Sequence, residues 1–244
     1  MSQPEFDERK YYQPPTGLRK YLRFAPYYVR LRRWVSFIDP FARRHRVVGR
    51  ADLVRMKRKF QFNFLRGQGL APHHAFLDIG CGSLLGGLPV IRYLEPGHYA
   101  GLDVRAEVLE IAQAEVRRYK LEAKAPTLVQ IQDLRQLELG KKFDFIFSFS
   151  VLFHLHDEQV QEGFKFAQRH LAPQGVYLAN VSTFGFPVRK WFEFPIIDRP
   201  LESYKKWAEE AGLSLEVIGT LGSFGHRSYF WSEDDQPMLR FRLK

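Results

Sequence analysis

The chain has 244 residues, 45% hydrophobic and 26% charged, which excludes a disordered or fibrous protein and leaves room for one α/β domain with an extension. No apolar run approaches the roughly 18–20 residues of a membrane-spanning helix, residues 1–15 lack the apolar core of a secretory signal, and the single cysteine excludes an internal disulfide framework. The net charge of +10 brings nucleic acid, an anionic membrane surface or an acidic substrate into view for a protein expected to be soluble and cytoplasmic.

In chain order, residues 1–16 are polar, end in Pro14 and Pro15, and read as a flexible tail. Residues 17–69 read as a basic helical extension. Leu18, Tyr21, Ala25, Tyr28, Leu31, Trp34 and Ile38 recur at helical spacing with arginines between them. Pro26 divides this pattern into two short helices and Pro40 ends the second. Leu53, Met56, Phe60 and Phe64 mark one face of a third helix over 51–65, stopped by Gly67 and Gly69. The charge sits here: residues 1–66 hold 17 Lys and Arg against 5 Asp and Glu, whereas residues 67–244 hold 20 against 22.

From residue 70 to 244 the pattern alternates strand and helix. Strands are expected at 75–79, 99–104, 127–132, 143–149, 176–181, 214–219 and 227–231. Between them Val108, Ala112, Val116 and Tyr119 mark one helix. Asp157 is placed to N-cap another, whose apolar face is Val160, Phe164, Ala167 and Leu171, and residues 201–211 form a third. This alternation predicts an α/β fold, a parallel sheet with helices on both faces.

The strongest local signal is Phe76-Leu77-Asp78-Ile79-Gly80-Cys81-Gly82-Ser83, a strand ending in a glycine turn that opens a helix. Asp78 before the turn suits a positively charged ligand, whereas a pyrophosphate would be repelled by it. The glycines run Gly80-x-Gly82-x-x-x-Gly86, a spacing that differs from the dinucleotide fingerprint. Asp103, 21 residues after Gly82, ends the second strand, where a carboxylate can accept both hydroxyls of a ribose.

These residues, with Gly101-Leu102-Asp103, Gln132-Asp133-Leu134 and the run from Phe143 to Leu155, resemble in order and spacing the cofactor motifs of class I S-adenosylmethionine-dependent methyltransferases of small-molecule type. The resemblance covers about residues 70–232. It implies a Rossmann-like, mostly parallel sheet of seven strands with a reversed terminal strand. It implies S-adenosyl-L-methionine as cofactor, S-adenosyl-L-homocysteine as product, and a small-molecule, lipid or saccharide-type acceptor. Carried over residue by residue, Asp78, Gly80 and Gly82 would line the methionine and ribose part. Asp103 would bind the ribose hydroxyls, Leu102 or Val104 would flank the adenine, Asp133 and Leu134 would meet its edge, and Ser148 would close the site.

Transfer from an activated sulfonium asks chiefly for alignment in a dry pocket, but a hydroxyl acceptor gains from a general base. His154, just past the fourth strand, is the candidate; the alternative is that it packs or caps the following helix. No metal is expected, since His154, His156 and Asp157 find no further ligand at suitable spacing. Cys81 reads as a small packed side chain. The connection 183–200 has five aromatics and three prolines, and makes Phe186, Arg189, Lys190 and Trp191 the acceptor-side candidates, or else extra core against the extension. The extension itself reads first as a cap over the sheet domain, then as a contact for an anionic acceptor or membrane surface, then as a nucleic-acid arm, which would make the chain an RNA methyltransferase. A cofactor-binding protein without catalysis is the remaining alternative.

Overall fold

A computed structural model describes residues 34, 38–191, 193–228 and 230–244; the expected tail and the first helices of the extension lie largely outside them. The extension enters as a short helix α1 (Pro40–His45), N-capped by Asp39, whose carboxylate accepts the Phe41 N–H at 2.9 Å. Helix α2 (Val54–Gly67) follows; Phe60 with Phe64 and Leu65, four and five positions on, enter the main core.

The sheet domain runs β1 (Phe76–Ile79), α3 (Gly87–Tyr93), β2 (Tyr99–Asp103), α4 (Ala106–Arg118), β3 (Thr127–Gln130), β4 (Phe143–Ser148), α5 (Asp157–His170) and β5 (Leu171–Asn180). After a two-stranded hairpin, β6 (Arg189–Trp191) and β7 (Phe194–Ile196), it continues through α6 (Leu201–Glu210), β8 (Leu213–Thr220), α7 (Trp231–Asp234) and β9 (Pro237–Leu243). Among the described residues seven strands form one sheet in the order β3-β2-β1-β4-β5-β9-β8, in which β9 alone runs antiparallel to its neighbours.

Alternation along the strands sends one set of side chains to each face. Phe76, Phe145 and Phe147 pack with Phe60 and Phe64 of α2 and with α3 and α4. Leu77, Ile146 and Tyr177 pack with Phe164 of α5 and Tyr204 of α6. Phe60 and Phe64 are buried, contributing about 1.5–3 kcal/mol each. α2 is therefore part of the domain's core, and its first turn carries Val54 into a smaller cluster with Phe41, Ala42 and Leu85.

Four expectations change. Where a strand is expected at 227–231, the described residues 227, 228 and 230 form no strand and α7 begins at Trp231; buried Asp234 accepts from the Ser228 N–H and hydroxyl and ties this segment back. The closing strand is β9, beyond the limit of the resemblance at 232. His156, rather than Asp157, N-caps α5, and Gln159 returns the contact by accepting the His156 N–H at 2.9 Å. Leu171, expected on the helix, already pairs with Phe143 as the first residue of β5. No helix among the described residues is long and apolar enough to cross a membrane.

Candidate active site

The order of the sheet places the site. From β1 the chain steps to β2 and β3 on one side, then crosses to β4 and β5 on the other, so the carboxyl ends of β1 and β4 diverge around a crevice. A cleft of about 710 Å³ opens there.

The turn after β1 forms its floor. Gly80 has φ +75° and Gly82 φ +54°, conformations that a side chain makes costly. Space also excludes one: a Cβ on Gly80 would strike Val151, and one on Gly82 would sit 2.6 Å from Val48 Cγ1. The Gly80 and Cys81 N–H groups both donate to the Leu102 carbonyl, at 2.8 and 2.9 Å. Gly82 N–H donates to Asp103 Oδ2 at 2.9 Å, and the second Asp103 oxygen accepts the Arg105 N–H at 3.0 Å. A carboxylate oxygen accepts more than one bond, so Asp103 retains capacity for a ligand.

Asp78 is buried and accepts the Tyr99 hydroxyl at 2.7 Å. Burial raises its pKa to about 7, the Tyr99 hydrogen bond opposes the rise and the nearby Asp103 charge adds to it. No cationic side chain pairs with it among the described residues, so as a carboxylate it suits a positively charged ligand. The Cys81 thiol is pushed far up by burial, which leaves it a packed, inert group.

The structure divides the expected site residues. Asp78, Gly80, Gly82, Asp103, Val104, Asp133 and Leu134 line the cleft, with Asp133 held by Arg135 at 2.9 Å. Leu102 and Ser148 do not: both are fully buried within the sheet, where Ser148 Oγ accepts from Tyr177. At the end of β4 the lining passes to Phe149, Ser150 and Val151. Ser150, at φ +57°, is fixed by donating its N–H to Asn180 Oδ1 at 2.7 Å.

His154 lines the cleft beneath the β6–β7 hairpin. Its Nδ1 donates to the Pro195 carbonyl at 2.7 Å, and its ring packs 5.5 Å from Trp191 and 6.2 Å from Phe194. Burial lowers its pKa, so the ring is neutral at pH 7. Arg189 and Trp191 also line the cleft, but Phe186 and Lys190 do not. Phe186 packs on Phe184 and Trp231 and donates its N–H to Asp198. The connection 183–200 thus supplies both wall and packing.

Two groups of lining residues carried no local signal in the sequence. Val48, Arg50, Lys57 and Gln61 arrive from the extension. His226, Glu233 and Gln236 arrive from the connection between β8 and β9. Beside the turn the extension is fastened to the sheet domain: Arg105 donates to the Val47 carbonyl at 3.2 Å, and His45 Nδ1 lies 2.7 Å from Ser83 Oγ. The far nitrogen of His45 lies 3.4 Å from Glu115, which Arg44 also pairs at 2.6 Å. Burial holds His45 down at about 4, so it bridges as a neutral ring, accepting from the Ser83 hydroxyl.

A family model described as a methyltransferase domain matches residues 77–177, from the start of β1 into β5. Among solved structures, an S-adenosylmethionine-dependent methyltransferase from Clostridium acetobutylicum aligns with a TM-score of 0.60 over 78% of this chain and 92% of its own, at 15% identity. Magnesium protoporphyrin IX methyltransferase from Synechocystis, crystallised with S-adenosylmethionine, gives 0.59 over 100% of both chains at 16% identity. A glycopeptide N-methyltransferase complexed with sinefungin gives 0.59 over 75% of this chain and 92% of its own, at 12% identity. A search among curated protein sequences gives no match. Likeness at such identities is likeness of fold, whereas the family match falls on the strands and glycine turn that build the cleft. Residues 77–177 thus match a methyltransferase domain, and the chain shares the fold of S-adenosylmethionine-dependent methyltransferases.

Proposed function

We propose that the protein transfers the methyl group of S-adenosyl-L-methionine to a small-molecule, lipid or saccharide-type acceptor, by in-line displacement, releasing S-adenosyl-L-homocysteine. The observation that carries this reading is the buried Asp78, unpaired with any cation among the described residues, beside a glycine turn too tight for a Cβ, at one end of a cleft of about 710 Å³. Small-molecule sites span about 300–1,000 Å³, so the cleft has room for cofactor and acceptor together.

In this reading the bound cofactor supplies an already activated methyl group, and the chain supplies position. Asp103 accepts the ribose hydroxyls with the capacity its backbone bonds leave. Asp78, as a carboxylate, faces the cofactor's positive charge. Val104 and Leu134 offer apolar flanks to the adenine and Asp133 meets its edge. Val48 and the β6–β7 hairpin, whose Phe194 lies 5.3 Å from the Arg105 guanidinium, exclude water from above. His154, Arg189 and Trp191 form the acceptor-side wall.

Three of the described cations of the extension favour a cap over an arm for nucleic acid or membrane. Arg44 is paired with Glu115 and Arg55 with Asp39, while Arg58 lies 4.9 Å over the Phe41 ring.

Calorimetric titration with S-adenosylmethionine tests the proposal. Micromolar binding is expected for the wild type, weakened at least tenfold in Asp103→Ala. No heat from the wild type at millimolar cofactor refutes it.

A further inference from the structure

The connection between β8 and β9 brings a second imidazole to the cleft. His226 is fully buried among the lining residues, with Phe60 edge-on at 4.9 Å and Phe149 at 6.2 Å. Its Nδ1 lies 2.7 Å from Asp234 Oδ1. A carboxylate has no proton to give, so in the neutral ring the proton sits on Nδ1 and is donated to Asp234. Asp234 is itself held by the Ser228 N–H at 2.8 Å and the Ser228 hydroxyl at 2.9 Å. Burial pushes Asp234 up, but the bonds from His226 and Ser228 outweigh it and hold the group below its ordinary value, as a carboxylate.

The opposite edge of the ring is the informative one. His226 Nε2 is buried and has no hydrogen-bond partner among the described residues. A lone pair left so costs about 1–3 kcal/mol, and a ring needed only for packing between phenylalanines would not incur that cost. Lys57 and Glu233, 3.1 Å apart, line the same cleft as a mutually neutralising pair. His154 differs in kind: its Nδ1 partner is a neutral carbonyl, which orients the ring but stabilises an imidazolium less than a carboxylate does.

We propose that His226, positioned by Asp234, is the proton acceptor for a hydroxyl-bearing acceptor, so that the reaction is an O-methylation; this rests on the methyl-transfer reading above. His226 Nε2 takes the hydroxyl proton as the oxygen forms its bond to the methyl carbon. The carbon–sulfur bond breaks, its electron pair stays on sulfur, and Asp234 holds the imidazolium. A neutral amine attacks without such a base, whereas an alcohol or phenol benefits directly from one.

The test uses the full chain with ¹⁵N-labelled histidines. In the ligand-free protein and with S-adenosylhomocysteine, His226 is expected to carry its proton on Nδ1. Phenol, but not its methyl ether anisole, is expected to shift the Nε2 resonance as a hydrogen bond forms. A proton resident on Nε2, or an Nε2 signal unmoved by phenol, overturns the proposal. In parallel, tritium-labelled S-adenosylmethionine is offered with a panel of phenols, sugars and primary amines. With the best hydroxyl acceptor, His226→Gln is expected to lower kcat at least 100-fold while cofactor Kd stays within threefold. Asp234→Asn is expected to lower kcat about tenfold and to move the acid limb of its pH profile. A His226→Gln rate within threefold of wild type, or transfer to amines only or to no hydroxyl, overturns it. Absent calorimetric binding of S-adenosylhomocysteine instead refutes the methyl-transfer reading, and the tautomer and phenol response of the ligand-free protein still judge the pair.

Discussion

Asp78→Asn isolates the energetic conflict at the centre of the cleft. The carboxyl is buried against Tyr99, and its pKa rises from 3.8 to about 7. Because the folded value lies above the unfolded one, the native state holds a proton that the unfolded chain releases. Stability is full below pH 3.8 and is lost as pH rises toward 7, at about 1.4 kcal/mol per unit and about 4 kcal/mol in all. Asparagine keeps an oxygen to accept the Tyr99 hydroxyl and carries no charge. The ligand-free variant is therefore expected to exceed wild type by about 1.5 kcal/mol at pH 5 and about 4 kcal/mol at pH 8. In a domain of this size that raises Tm by roughly 8–15 °C at pH 8. The same change removes the carboxylate offered to the cofactor, so S-adenosylmethionine binding is expected to fall at least 100-fold. Wild-type affinity is expected to weaken about tenfold per unit as pH falls below 7, with a proton released on binding. Scanning calorimetry across pH 4–8, with binding titrations at each pH, measures both. A Tm gain that does not grow with pH, or a cofactor affinity flat from pH 5 to 8, refutes the reasoning.

Tyr99→Phe removes the hydrogen bond that holds Asp78 down, so the midpoint of pH-dependent cofactor binding is expected to move upward, read from the same titrations. Gly82→Ala forces an alanine to φ +54° with its Cβ 2.6 Å from Val48 Cγ1; calorimetry is expected to show cofactor binding weakened at least tenfold, partly recovered by adding Val48→Ala. His45, held at about 4 by burial, has a folded pKa below its unfolded 6.5. Its contribution is present above pH 6.5 and is lost as pH falls toward 4, by up to about 3 kcal/mol. Denaturant unfolding of His45→Asn is expected to show a correspondingly shallower loss over that window.

Legibility in the sequence followed the range of the signal. β1 with its glycine turn, β2 and β4 announce themselves through short apolar runs and Asp-x-Gly-x-Gly, because backbone geometry there depends on adjacent residues. Asp78 and Asp103 could be placed near strand ends for the same reason, whereas Asp133 lies in the loop beyond β3. The closing strand was misplaced although Leu239-Arg240-Phe241-Arg242-Leu243 alternates plainly; the aromatic run ending at Trp231 competed with it and lost to the hydrogen bonds that Asp234 collects. Of the pair Leu102 or Val104, Val104 lines the cleft while Leu102 is buried in the sheet, and Ser148 is buried likewise one residue before the lining begins at Phe149. Val48, Lys57 and Gln61 join the site only once α2 has docked. His226 and Asp234 are eight residues apart in an irregular segment, and no local pattern marks such a pair.

The position of β9 has a kinetic consequence. It fills the gap between β5 and β8, pairing its Met238–Phe241 stretch with 177–180, some sixty residues earlier. Until residues 237–243 have been synthesised, β5 presents a bare, apolar edge, and β8 has no strand to join. The segment that leads into β9 carries His226 and Asp234. One strand thus closes the sheet and is joined to the segment that holds the imidazole, so a nascent chain has its glycine turn well before it has the residues of a complete cleft.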